Sequence, residues 1–148
     1  MSYNIRKLKY FVDDIDGGLR TNQLIAEDYF LAEDDHELGE MMGMMMSQAH
    51  YSSFWGVARG ELATKAVHAQ EKENLRLSWT SGTTPLTSNT FFREGYVHFT
   101  KGNFLSNMPI IGRALSMFFQ KKVIESLVVR EGKVVFRDLG YNWQLGVH

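Results

Sequence analysis

At 148 residues and 44% hydrophobic, the chain is long enough to bury one core and too short for two ordinary domains. A net charge of −1, with 16 Lys and Arg scattered among 17 Asp and Glu, leaves no electrostatic footprint for phosphate backbones or anionic lipid, so neither nucleic acid nor a membrane is an expected partner. The lack of cysteine excludes disulfides and thiolate chemistry, and no apolar run approaches the roughly 20 residues that cross a bilayer. The polar opening Met1-Ser-Tyr-Asn-Ile-Arg-Lys7 lacks the apolar stretch of a signal peptide, so a cytoplasmic location is expected.

Taken in chain order, Ile5, Leu8, Tyr10, Phe11 and Val12 form a short amphipathic stretch that stops at Asp16-Gly17-Gly18. Leu19, Gln23, Leu24, Asp28 and Tyr29 begin a second helix. Residues 36 to 50 hold good helix formers interrupted by two glycines and are read as helix, and Arg59 to Asn74 forms another, with Leu62, Ala66 and Ala69 along one side. The period then changes. Leu75 to Thr80 alternates apolar and polar residues, Ser81 to Pro85 supplies turn chemistry, and strands are predicted over 91–100, 114–120, 123–130 and 133–139. Helices first and antiparallel strands afterwards define an α+β fold. The expected architecture is one domain over residues 1–148, with N-terminal helices packed on a strongly curved antiparallel sheet that forms a cone around an internal pocket.

The last predicted strands form a hairpin about Glu131-Gly132, because glycine reaches positive φ without a Cβ clash. Side chains alternate along a strand, so Val134, Phe136 and Asp138 share one face and Val135, Arg137 and Leu139 the other. A carboxylate ending an apolar stripe suits a general base that removes a proton beside a carbonyl. Its plain alternative is a strand-end aspartate paired with Arg137, Arg130 or solvent. His98, within Tyr96-Val-His-Phe-Thr100, is a candidate proton shuttle or donor to a substrate oxygen, or else a half-exposed strand histidine. Tyr10, Tyr29, Trp55, Trp79 and Phe136 are candidates to line a cavity for a flat ligand, although core packing accounts for such aromatics equally well. Glu33 and His36 have the Glu-x-x-His spacing of di-iron bundles, but no second copy exists in the chain, so the acidic run is read as a solvated face and no metal is expected. The Met41 to Met46 cluster is read as core or dimer contact, or as a soft, adaptable binding surface.

Several segments in order resemble the SnoaL-like polyketide cyclases, within the superfamily that includes ketosteroid isomerase, scytalone dehydratase and nuclear transport factor. Phe11-Val-Asp-Asp-Ile-Asp-Gly-Gly18 through Leu24-Ile-Ala-Glu-Asp-Tyr-Phe30 is similar to that family's opening helix pair, and Arg59-Gly60-Glu61-Leu62 to the start of its third helix. Gly102-Asn-Phe-Leu-Ser-Asn-Met-Pro-Ile-Ile-Gly-Arg113 resembles its Gly-x-Phe-x-Gly-x-Pro-Pro-Thr-Gly-Arg/Lys loop, one residue longer and without the second Pro and the Thr. Glu131-Gly132-Lys133-Val134 resembles its closing hairpin, and Arg137-Asp138 its Arg-Asp pair, one residue nearer the turn. A slip of one residue in a strand reverses the face of every side chain after it. The resemblance implies a cofactor-free lyase, isomerase or cyclase acting on a small apolar or aromatic carbonyl compound. Asp138 would be its base, His98 its acid or oxyanion donor, and the protein a homodimer. The same fold also serves non-catalytic ligand-binding or assembly modules. A second resemblance, of Ile5-Arg-Lys-Leu8, Val57-Ala-Arg-Gly-Glu61 and Gly112-Arg-Ala-Leu115 to GNAT acetyltransferases, implies an acyl-CoA site at a helix N-terminus.

Overall fold

In a computed structural model of the protein, residues 18–54, 56–99 and 121–141 are described. The predicted helix over 5–12, the strand over 114–120 and the loop Gly102 to Arg113 lie outside them. Helix α1 (Leu19–Asp34) is followed by a short α2 (Leu38–Met44), strands β1 (Met45–Ser53) and β2 (Gly56–Arg59), and helix α3 (Glu61–Asn74). Strands β3 (Leu75–Trp79), β4 (Thr84–Pro85), β5 (Thr90–Phe99), β6 (Lys121–Arg130) and β7 (Lys133–Tyr141) complete the order. The strands form one unclosed sheet in the order β2-β1-β7-β6-β5-β3, with β4 on β5. The sheet is mixed rather than wholly antiparallel, because β1 runs parallel to β7.

The helix expected over 36–50 ends at Met44. Met45 is already extended, with φ −98 and ψ 148. Gly39 and Gly43 weaken the helix, and the segment after it satisfies its backbone between β2 and β7 instead, so tertiary pairing overrides local propensity. The β1 side chains Ala49 and Tyr51 then point into the core with Ile25, Tyr29 and Phe30 of α1, Met41 of α2, and Leu127, Val129 and Val134 of the β6–β7 hairpin. Around that hairpin's turn Glu131 and Gly132 both take positive φ, 52 and 75, the pattern of a two-residue turn whose twist matches the strands.

Strand β7 does not alternate from end to end as its sequence predicts. Val129 pairs with Val134, but the next residue of β6, Val128, pairs with Phe136, so Val135 is the extra residue of a β-bulge. Beyond it the faces reverse: Val134, Arg137 and Leu139 point toward the helices, while Phe136 and Asp138 lie on the other face. This reversal decides which side chain of Arg137-Asp138 enters the interior.

Candidate functional site

Between the end of α1, the second half of α3 and strand β3 lies a cleft of about 960 Å³ whose lining includes Glu33, His36, His68, Glu71, Leu77 and Trp79. Two polar systems meet in its wall.

The first is a buried ion cluster. Arg93 of β5 stands directly opposite Glu125 of β6, and Arg137 of β7 is opposite Leu127, two residues further along β6. Glu125, wholly buried, therefore accepts from both guanidinium groups, from Arg93 Nε at 2.8 Å and Arg137 Nε at 2.7 Å. Arg137 also donates from Nη1 to Glu71 Oε1 at 2.5 Å and to Ser52 O at 3.0 Å, and from Nη2 to Glu33 Oε1 at 2.8 Å and Glu71 Oε2 at 3.0 Å. Arg93 forms a two-pronged pair with Asp34, at 2.7 and 2.8 Å, and its guanidinium lies between the Phe30 ring at 4.1 Å and the Trp79 ring at 3.8 Å. Gly95 permits that stack, because a Cβ there would meet Ser78 O and come within 2.7 Å of Trp79 Cε3.

Three buried carboxyl groups, Glu33, Glu71 and Glu125, with Asp34 at the exposed margin, thus face two guanidinium groups, and a buried site relieves such an excess of negative charge by holding a proton. Desolvation opposes ionisation of Glu125, but Arg93 and Arg137 outweigh it and hold the group at about 2. Glu33 goes the other way. Burial pushes its carboxyl well above the ordinary range, Arg137 offsets this only in part, and Glu125 and Glu71 push the same way as burial. Glu33 Oε2 is buried without a hydrogen-bond partner among the described residues. Glu33 is accordingly held toward its neutral acid form in the wall of the cleft, with its carboxyl in hydrogen-bond reach of Glu125.

The second system is a line of hydrogen bonds. His36 Nδ1 lies 3.1 Å from His68 Nε2, His68 Nδ1 lies 3.0 Å from the Tyr51 hydroxyl, and Tyr51 donates to Glu71 Oε2 at 3.1 Å. The Arg137 guanidinium sits 4.3 Å from the Tyr51 ring centroid, joining the two systems. Burial lowers His68 to about 4 and also lowers His36, and it raises the Tyr51 hydroxyl well above its usual range, so all three are uncharged at neutral pH. His36 owes its place to the end of α1. Its N–H reaches Glu33 O at 3.1 Å and the Glu37 N–H reaches Ala32 O at 2.9 Å, the paired bonds of a Schellman stop. His36 occupies the left-handed position of that stop, at φ 57, where glycine is usual.

Of the residues predicted from sequence, Trp79 lines the cleft. Asp138 and His98 do not. Asp138 is half-buried on the sheet face away from the helices, level with Ser52 and Ser126, because the bulge has turned Arg137 inward in its stead. His98 lies opposite Arg76 on that same outer face, whereas its neighbour Val97 is fully buried. Phe136 stacks on His50 there, with centroids 4.9 Å apart and planes at 8°. Tyr29 is core, its hydroxyl 3.9 Å from Met45 Sδ. Tyr10 and Trp55 lie outside the described residues. The charged cluster and the histidine line went unread in the sequence except for Glu33-x-x-His36, whose spacing does put both residues on one side of the cleft.

Helices covering one face of a curved mixed sheet, with a polar cleft at the helix–sheet margin, define an α+β cone whose site lies between layers. The family model described as NTF2-like domain matches residues 6–145, and the chain belongs to that family. Among solved structures it is similar to a candidate polyketide cyclase from Xanthomonas campestris pv. campestris, at a TM-score of 0.60 and 14% identity over 86% of this chain and 95% of that one. It is also similar to an NTF2-like protein from Burkholderia thailandensis, at 0.59 and 16% over 85% and 94%, and to a cystatin-fold protein from Novosphingobium aromaticivorans, at 0.56 and 13% over 80% and 96%. These likenesses are of fold. No curated protein matches the chain by sequence. Among the described residues no helix is long and apolar enough to cross a membrane.

Proposed function

We propose that the protein binds a small carbonyl compound in the cleft and acts on it without a cofactor, as a lyase, isomerase or cyclase, with Glu33 as the acid. The observation that carries this reading is a buried carboxyl in the cleft wall that burial and the neighbouring carboxyl groups hold toward its acid form, with an oxygen, Oε2, that accepts no hydrogen bond from a described residue. A carboxyl in its acid form is a hydrogen-bond donor, and a ligand oxygen in the cleft would compete with Glu125 for its proton. A carboxylic acid kept neutral in a poorly hydrated site stabilises the oxyanion formed when a carbon beside the carbonyl is deprotonated. The polyketide cyclase description of one structural neighbour is consistent with carbonyl chemistry, and the fold alone is equally compatible with other activities.

Infrared difference spectroscopy tests the acid directly. A protonated-carboxyl C=O band present near neutral pH and lost in Glu33→Gln supports the reading, and its absence from the unaltered protein refutes it. A second reading is a pocket that binds without turnover, and it is favoured by the distance of Asp138 and His98 from the cleft. Small ketones that quench tryptophan fluorescence but show no deuterium exchange at the α-carbon would decide for it.

A further inference from the structure

We infer that His36 is the proton acceptor of the cleft, its Nε2 lone pair made available by a one-way chain of hydrogen bonds through His68 and Tyr51 to Glu71; this rests on the carbonyl-binding reading above. The direction follows from counting protons. Glu71 accepts two hydrogen bonds from Arg137 and one from Tyr51, so it serves as an acceptor only. Tyr51 has a single hydroxyl proton and spends it on Glu71, so toward His68 its oxygen accepts. His68 must then carry its proton on Nδ1, and its Nε2 is a bare acceptor. His36, 3.1 Å from that nitrogen, donates from Nδ1 and is left with an unprotonated Nε2. Among the described residues no protein group engages that atom.

A neutral imidazole with a fixed tautomer and a free lone pair is the form a general base requires. The backbone points the same way. The left-handed region disfavours a residue that carries a Cβ, and such strain persists at functional positions. Glycine at this helix stop would avoid it but would supply no ring to His68. The charged and titratable groups around His36 are Asp34 and Asp35 on its own segment and Lys72, Glu71 and His68 on α3.

In the step inferred, a C–H bond beside the substrate carbonyl breaks and its proton goes to His36 Nε2. Its electron pair passes into the enolate, whose oxygen accepts the Glu33 hydrogen bond. The positive charge gained by His36 is spread along the chain toward Glu71.

Nitrogen-15 NMR of the full chain tests the direction without any ligand. The expected result near neutral pH is that both His36 and His68 hold a proton on Nδ1 and none on Nε2, and that Tyr51→Phe frees both rings to change tautomer. A proton on His36 Nε2 in the unaltered protein overturns the inference. The kinetic test uses 5-nitrobenzisoxazole, whose ring opens when a base removes its C–H proton and the N–O bond breaks. His36→Gln is expected to lower kcat on this probe about 100-fold with little change in KM, and to abolish the acid-side limb of the pH profile. Probe that quenches tryptophan fluorescence without being opened, or opening unaffected by His36→Gln, sinks the proton-acceptor role and leaves the pocket standing. Absence of the Glu33 infrared band from the unaltered protein would sink the acid and leave the tautomer result untouched.

Discussion

Arg137→Met is the perturbation that bears most directly on the buried cluster. Methionine keeps much of the side-chain length and removes the charge. Arg137 is wholly buried and spends every guanidinium nitrogen on Glu33, Glu71, Glu125 or Ser52 O. With Glu33 neutral, the buried cluster sets two cations against Glu71 and Glu125, with Asp34 at its exposed margin, so the substitution leaves Arg93 as the one cation beside them among the described residues. Removing one partner of a buried pair costs about 3–5 kcal/mol, because the remaining charge stays buried and uncompensated. For a chain of this size that is a fall in Tm of roughly 6–20 °C. The pH dependence sets this apart from loss of packing. Glu125 is held at about 2 against an ordinary 4.5, so its contribution is present above the ordinary value and fades as pH falls toward the folded one. Arg137→Met removes part of that depression, so the gap between variant and parent is expected to be full near pH 7 and to narrow below about pH 4. Urea unfolding at several pH values measures it. A variant with the parent's urea midpoint, or a deficit that is the same at every pH, would refute the account of Arg137 as counter-ion to Glu71 and Glu125.

Two further predictions concern titration and the outer face. His68 falls to about 4 by burial, from an ordinary 6.5, so the unfolded chain binds its proton first and stability declines as pH drops from about 6.5 toward 4, by on the order of 3 kcal/mol; chemical unfolding of His68→Gln should show that decline flattened. Asp138→Asn changes a half-buried residue outside the cleft, so unfolding free energy is expected to shift by no more than about 0.5 kcal/mol and ketone binding, read by fluorescence, to be unaltered.

The fold was legible because its signals are local and periodic. The apolar spacing of Leu24, Tyr29 and their neighbours, the alternation in Leu75 to Trp79, and the Glu131-Gly132 turn each report on a few adjacent residues, and each element formed where read. Residues 45–50 were misread because their extended form depends on β7, more than 80 positions away, and nothing local announces that pairing. The site was hidden for a related reason. Arg93, Glu125 and Arg137 carry no local sign of burial, since charged side chains are rarely buried unless paired. Only the registers of β5, β6 and β7 bring them together. Glu33-x-x-His36 was visible as a spacing and was read as a solvated acidic face, but its partners His68 and Glu71 come from another helix, and with them it presents an acid and an imidazole to one cleft.

Deletion of Val135 tests the bulge on which the placement of Arg137 rests. In a strand that alternates without interruption, removing one residue throws every later side chain to the opposite face. Arg137 and Leu139 would exchange faces with Phe136 and Asp138, and the ion cluster would lose its central cation, with a cost like that of Arg137→Met. The bulge reverses this expectation. Val128 already pairs with Phe136 and Val129 with Val134, so without Val135 those two pairs become consecutive rungs of a regular ladder and Arg137 still faces inward. Val135 is half-buried, so its removal forfeits only part of a valine's burial, about 1 kcal/mol. The deletion is therefore expected to fold, with a urea midpoint slightly below the parent's and the His36 and His68 tautomers unchanged. Failure to fold, or a loss above about 3 kcal/mol, would mean that Val135 belongs to an unbroken alternation, and the inward guanidinium would have to be given up with it.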